Sequence, residues 1–169
     1  EVTNVADVPV GLSGVKFVQA MPDGSRSGID YAFPDQELAP RQSIVVARNA
    51  EAFAVRYGNE VVPVGQYQGR LANNGEVLRM LGPGNEVIQQ FRYQDDWYRE
   101  TDGQGQSLEV RSADTVAPEL YGDVATWRSS HSSGGTPGFA PLADFDQNGR
   151  LDERDIDLLC AALGEEDLR

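Results

Sequence analysis

The chain has 169 residues, 40% of them apolar and 24% charged, a composition typical of a soluble globular protein that excludes a disordered one. Its formal net charge of −13, from 27 acidic and 14 basic residues, disfavours binding to the phosphates of nucleic acids. No apolar run reaches about eighteen residues, so no segment is predicted to span a membrane. The single cysteine, Cys160, excludes an intramolecular disulfide and a cysteine-based zinc cluster.

Short strands and turns are predicted from residue 1 to about residue 130. The 18 glycines and 9 prolines lie between short apolar runs, which favours an all-β architecture. Six runs are rich in β-branched and aromatic residues or alternate apolar with polar residues, as strands do. The predicted strands are Glu1–Asn4, Val15–Ala20, Ile44–Ala47, Val77–Leu81, Val87–Tyr93 and Ser107–Arg111.

Local signals place two turns and one helix among these strands. The sequence Asn73-Asn74-Gly75 predicts a tight turn, because Asn and Gly accept positive φ at low cost. Residues 82–85 (GPGN) join two of the strands, which predicts an antiparallel hairpin. A helix is predicted over Ala50–Tyr57, with Asn49 as its N-cap and Gly58 just after its end. Its aromatic residues at i and i+4 are expected to pack it on the sheet.

Several motifs, in the same order, resemble those of lamin-tail domains. A Leu-Ser-Gly motif precedes a hydrophobic strand, and aromatic, glycine-rich and Trp-containing segments follow at the expected places. The matching segments are 10–14 (VGLSG), 31–34 (YAFP), 38–40 (LAP), 44–48 (IVVAR), 69–76 (GRLANNGE), 102–109 (DGQGQSLE), 127–130 (WRSS) and 134–138 (GGTPG). Two positions depart from the family pattern, Gly11 in place of a frequent aspartate and Val15 in place of a frequent tryptophan.

The resemblance implies an immunoglobulin-like β-sandwich over residues 1–138, in agreement with the strands and turns predicted from the residues. Lamin-tail domains of bacteria resemble accessory modules of exported or surface proteins, often beside hydrolases, and have no accepted catalytic residues. A fold does not confer a function, so the resemblance implies an accessory or interaction module and no reaction.

Other candidate chemistry is weaker. The only likeness to the catalytic carboxylate pair of a glycosidase is the residue type of Asp95, Asp96 and Glu100. They are better interpreted as ordinary solvated acids on a loop. His131 is the only histidine, and the chain has no Gly-x-Ser-x-Gly motif that could supply the nucleophile of a serine hydrolase. The chain is therefore predicted not to be an enzyme. The alternative to an interaction module is a carbohydrate-binding face, for which the candidate aromatic residues are Trp97, Tyr98, Tyr121 and Trp127.

The segment 144–155 (DFDQNGRLDERD) carries the ligand spacing of a calcium loop. Such a loop takes oxygen ligands from positions 1, 3, 5, 7, 9 and 12 and has glycine at position 6. Gly149 occupies position 6, and the predicted metal ligands are Asp144, Asp146, Asn148, the carbonyl of Arg150, Asp152 and Asp155. An acidic helix N-terminus would explain the last two carboxylates but not the spacing of the first three ligands. The predicted cofactor is therefore Ca²⁺.

A helix is predicted directly after this loop. Ile156, Leu159, Cys160 and Leu163 fall on one helical face, Cys160 as a small core residue, and Gly164 is the predicted stop. Aspartate at position 12 and the absence of a preceding helix resemble one repeat of a dockerin, a family that uses two such repeats. Residues 139–169 are thus predicted to be a linker and a truncated dockerin-like calcium-binding unit, and the chain a fragment of a larger protein.

Together these features predict a mainly β protein: an immunoglobulin-like β-sandwich with one short helix, followed by a small calcium loop–helix unit. The predicted function is a non-enzymatic interaction or anchoring module of an exported or surface-associated bacterial protein. The expected partner is a protein or a cell-surface component, and the expected location is extracellular. The alternative is a carbohydrate- or polymer-binding accessory module of a secreted hydrolase.

Overall fold

The computed structural model describes residues 1–111, 113, 115–130, 132–138 and 153–166. The strands are β1 (Val2–Thr3), β2 (Val10–Gly11), β3 (Lys16–Phe17), β4 (Ile29–Ala32), β5 (Glu37–Leu38), β6 (Ser43–Ile44), β7 (Val46–Ala47), β8 (Gly65–Gln66), β9 (Gln68–Gly69), β10 (Glu76–Leu81), β11 (Val87–Tyr93), β12 (Leu108–Val110) and β13 (Trp127–Ser129). The α-helices are α1 (Ala50–Tyr57) and α2 (Glu153–Glu166), and the 3-10 helices are η1 (Arg99–Thr101), η2 (Pro118–Gly122) and η3 (Val124–Thr126).

The largest sheet has five antiparallel strands in the order β11-β10-β3-β4-β9. Four two-stranded pairs accompany it: β1 with β6, β2 with β5, β12 with β13, and the parallel pair β7 with β8. The described residues are thus mainly β, with one short helix and one C-terminal helix, which confirms the predicted fold class.

The core lies between the five-stranded sheet and the pairs around β1, β5, β6 and β7. Its buried residues are Leu12, Val15, Phe33, Leu38 and Ile44. The sheet contributes Phe17, Tyr31 and Met80 to this cluster, whereas Val2, Val46 and Val64 come from the opposite layer. Apolar side chains from the two layers pack against each other. Their surface is thereby removed from water, which stabilises the sandwich.

The predicted hairpin and the turn before it are both present. β10 and β11 pair antiparallel from Glu76 opposite Tyr93 to Leu81 opposite Val87, with a register shift next to Leu81. Gly75, which precedes β10, has φ +82°, and a Cβ there would lie 2.4 Å from the carbonyl oxygen of Tyr93. This turn therefore requires glycine for two independent reasons, backbone conformation and space.

Helix α1 has the predicted ends. The Asn49 side chain accepts a hydrogen bond from the Ala52 N–H at 2.8 Å, and the Gly58 N–H donates to the Ala54 carbonyl at 2.8 Å. The rings of Phe53 and Tyr57 lie 4.6 Å apart. The Tyr57 hydroxyl donates to the Gly134 carbonyl at 2.7 Å, so a hydrogen bond ties the helix to the glycine-rich segment that follows β13.

Helix α2 differs from the prediction in two respects. It continues through Gly164 to Glu166, so the predicted stop is wrong; a glycine inside a helix costs only about 1 kcal/mol relative to alanine. Cys160 is exposed, so its assignment as a small core residue is wrong as well. Neither α1 nor α2 is long and apolar enough to cross a membrane.

Candidate functional site

The predicted calcium loop is described only at its last ligand. Asp144, Asp146, Asn148, Arg150 and Asp152 lie outside the described residues, as does His131. Asp155 lies in the first turn of α2 and is only 3% exposed.

The environment of Asp155 fits a metal ligand. A carboxylate removed from water costs several kcal/mol unless hydrogen bonds, a cation or a metal compensates its charge. The first turn of a helix supplies part of that compensation through its backbone N–H groups and dipole. A carboxylate oxygen at position 12 of the loop is also the kind of ligand that Ca²⁺ prefers.

The aliphatic side chains of α2 have the opposite environment. Ile156 is 62% exposed, and Leu158 and Leu159 are exposed as well. An amphipathic helix normally buries its aliphatic residues and exposes its acids. In the described part of α2, Asp155 is the one buried side chain among residues 153–161, and the acids Glu153 and Asp157 are exposed together with the aliphatic residues.

Within the described residues, no three histidine, cysteine, aspartate or glutamate side chains form a group that could hold a metal ion.

The candidate sugar-binding aromatic residues form a packed cluster. The Trp127 ring lies 5.3 Å from Phe91, 5.7 Å from Tyr121 and 6.0 Å from Trp97, measured between ring centroids. Trp127 is only 8% exposed. The cluster therefore joins β11, β13 and η2 as a second packing centre.

The polar atoms of this aromatic cluster also have partners inside the protein. The indole N–H of Trp127 donates to the Tyr121 carbonyl at 2.8 Å. The Tyr98 hydroxyl contacts the carbonyls of Val124 and Trp127 at 3.1 and 2.8 Å. A buried ring whose N–H is already satisfied is not available to stack on a sugar, so Trp127 has a packing role, whereas the other three candidate rings are half-buried.

Glu76 is the centre of a hydrogen-bond network that the sequence did not single out. One carboxylate oxygen accepts from the Gly28 N–H at 2.7 Å, and the other accepts from the Ala72 N–H at 2.7 Å. The Tyr93 hydroxyl shares its hydrogen between the Ala72 carbonyl at 2.7 Å and this second oxygen of Glu76 at 3.2 Å. Burial, and then the charge of Glu76, raise the pKa of Tyr93 well above its ordinary value. This network connects β10, β11 and two loops, and its role is structural.

No family model matches the chain, and comparisons with curated proteins and with solved structures find no match either. The resemblances to lamin-tail domains and dockerins therefore remain predictions from the motifs quoted above.

Proposed function

We propose that the protein is a non-enzymatic interaction or anchoring module of an exported or surface-associated bacterial protein. In this proposal the β-sandwich is a stable carrier, and residues 144–155 form a calcium loop that begins α2. The partner, a protein or a cell-surface component, contacts the exposed aliphatic side chains of the helix.

The observation that carries this proposal is the burial of Asp155 next to the exposed aliphatic side chains of α2. A solvated acidic turn would leave Asp155 exposed, because water stabilises a carboxylate better than a protein interior does. Burial of the position-12 carboxylate, with Ile156 exposed beside it, supports a loop that turns its oxygens inward and a helix that turns its aliphatic residues outward.

The chain's own residues suggest how calcium would control the surface. One short loop contains four carboxylates, those of Asp144, Asp146, Asp152 and Asp155. Their mutual repulsion opposes a compact loop. A bound Ca²⁺ would neutralise this repulsion. Because Asp155 belongs to the first turn of α2, an ordered loop would also fix the start of the helix and so the position of Ile156 and Leu159.

Calorimetric titration of the full chain with CaCl₂ tests the loop. We expect saturable uptake that is lost in the double variant Asp144→Ala with Asp146→Ala and retained in the control Asp157→Ala, an exposed acid of α2 outside the loop. Magnesium should compete poorly, because it demands a smaller and stricter octahedral site. No uptake at millimolar calcium, or uptake unchanged in the double variant, would show that the segment is an acidic turn.

A second experiment tests the partner surface independently of the metal. The full chain is immobilised and exposed to the secreted fraction of the source organism, with calcium or with a chelator. The variant Ile156→Ser with Leu159→Ser should still bind calcium, because exposed side chains contribute little to folding. It should no longer capture the component of the secreted fraction that the unchanged chain captures only when calcium is present. Retention of the same component by this variant would place the partner surface elsewhere.

A further inference from the structure

The two edges of the five-stranded sheet differ. β9, at one edge, has only two residues and ends at Gly69, a short edge of the kind that resists pairing with other chains. β11, at the other edge, has seven residues and contains neither proline nor lysine. Its pairing with β10 skips Ile88, because Met80 lies opposite Gln89 and Leu81 opposite Val87, so the regular part of this edge runs from Gln89 to Tyr93.

The backbone groups at the open edge of β11 can be assigned from the hydrogen-bond alternation. The Arg79 carbonyl accepts from the Val18 N–H at 3.1 Å, so the backbone of Arg79 faces β3. Its neighbours Leu78 and Met80 then face β11, where they pair with Phe91 and Gln89. The intervening residues of β11 point their N–H and C=O groups to the open edge. Within the regular part of the strand these residues are Gln90 and Arg92, and both are exposed.

The 3-10 helix η2 does not use these groups. It contacts the other face of β11, where Gln89 donates to the Pro118 carbonyl at 3.2 Å and Phe91 packs on Tyr121. On the opposite face of β11 the side chains of Ile88, Gln90 and Arg92 are exposed.

Positive charge accompanies this open edge in a protein of net charge −13. Arg79 lies opposite Gln90, so Arg79 and Arg92 are diagonal neighbours on one face, with their Cβ atoms roughly 7 Å apart. Among the described residues no ion pair joins either arginine to an acid, and the Nε of Arg79 has no hydrogen-bond partner. Arg92 is exposed on β11 itself, whereas Arg79 on β10 is half-buried and its guanidinium donates to the Ala20 carbonyl at 3.3 Å, on the side of β3.

We propose that the open edge of β11 binds an extended acidic segment of a partner protein, which adds a sixth strand to the sheet. Backbone hydrogen bonds to Gln90 and Arg92 would supply the affinity, and a carboxylate beside the exposed Arg92 would select acidic sequences. A second copy of the chain fits less well. Antiparallel pairing of two β11 strands would bring Arg92 of each copy to the same sheet face without an acid.

A labelled peptide of alternating threonine and glutamate, about eight residues long, tests this proposal on the full chain. Fluorescence anisotropy should show saturable binding that weakens as salt is added, and no binding of a threonine–lysine peptide. We expect the variant Arg79→Glu with Arg92→Glu to bind the acidic peptide at least about tenfold more weakly than the unchanged chain does. The matched control is Arg48→Glu with Arg70→Glu. These two exposed arginines follow β7 and β9, away from β11, and their reversal should change affinity less than about twofold.

Hydrogen exchange of the unchanged chain supplies a readout that does not depend on the folding of any variant. The amides of Gln90 and Arg92 should become protected when the acidic peptide is added. Binding without protection of these amides, or binding equally strong in the Arg79/Arg92 variant, would overturn the proposal. Protection that increases with protein concentration in the absence of peptide would also overturn it, by assigning the edge to a second copy.

Discussion

At the scale of single residues, the Glu76 carboxylate shows how one side chain joins separate segments. Its two oxygens accept hydrogen bonds from the backbone of Gly28 and Ala72 and from the hydroxyl of Tyr93. Hydrogen bonds to a charged acceptor are stronger than those between neutral groups. The three donors come from different parts of the chain, so this one acid stabilises tertiary structure.

We expect Glu76→Ala to lower the free energy of unfolding by about 3 kcal/mol, because it removes the acceptor of two backbone N–H groups and one hydroxyl. Urea unfolding of the two proteins measures the difference. The control is Glu60→Ala, an exposed acid for which we expect a change below about 0.5 kcal/mol. Similar losses in both variants would contradict a special role for Glu76.

Tyr93 gives this network a predicted pH dependence. Burial raises the pKa of Tyr93 in the folded protein, whereas the unfolded chain loses this proton near its ordinary value of about 10. The folded state therefore binds more protons above pH 10, and the free energy of unfolding must fall as the pH rises from there. We expect a shallower fall in Tyr93→Phe, measured by unfolding between about pH 9 and pH 11. Some slope should remain, because burial also raises the pKa of Tyr31, Tyr67 and Tyr121. Parallel curves for the two proteins would contradict the assignment.

At the scale of secondary structure elements, the sequence correctly predicted the features that depend on interactions between neighbouring residues. The 73–75 turn, the β10–β11 hairpin and the ends of α1 depend on residues that are neighbours in sequence, so propensity and capping were sufficient. The stop of α2 at Gly164 was predicted by the same logic and is wrong, because a single glycine weakens a helix without ending it.

The N-cap of α1 can be tested directly. Asn49→Ala removes the acceptor of the Ala52 N–H, and we expect the free energy of unfolding to fall by about 1 kcal/mol. Thermal melting monitored by circular dichroism measures the loss. Asn59→Ala, at an exposed asparagine just after the helix, should leave the melting temperature nearly unchanged. An equal effect of the two substitutions would show that the cap contributes nothing.

At the scale of the whole molecule, the sequence was least informative about contacts between distant segments. The motif that contains Glu76 was recognised, but nothing local indicates that its carboxylate meets Gly28, 48 residues away. The aromatic residues raise the same difficulty. Their composition suited a sugar-binding face, and only the packing of Trp127 on Phe91 and Tyr121 shows that they form a core. The open edge of β11 likewise depends on strand order, which is a property of the sheet and not of the strand.

The last prediction concerns the independence of the sandwich from the acidic tail. Among the described residues, the buried core cluster comes from residues between Leu12 and Ile44 and the aromatic cluster ends at Trp127, so both lie before Gly138. A chain that ends at Gly138 should therefore keep a cooperative thermal transition, and its melting temperature should not respond to calcium. The full chain, by contrast, should be stabilised by roughly 2.7 kcal/mol when calcium is present at a hundred times its Kd, because a ligand that binds only the folded state shifts the equilibrium towards it. Differential scanning calorimetry of both chains, with calcium and with a chelator, separates the two effects. Loss of the transition in the shorter chain would show that the tail belongs to the core, and calcium stabilisation of the shorter chain would place the site in the sandwich.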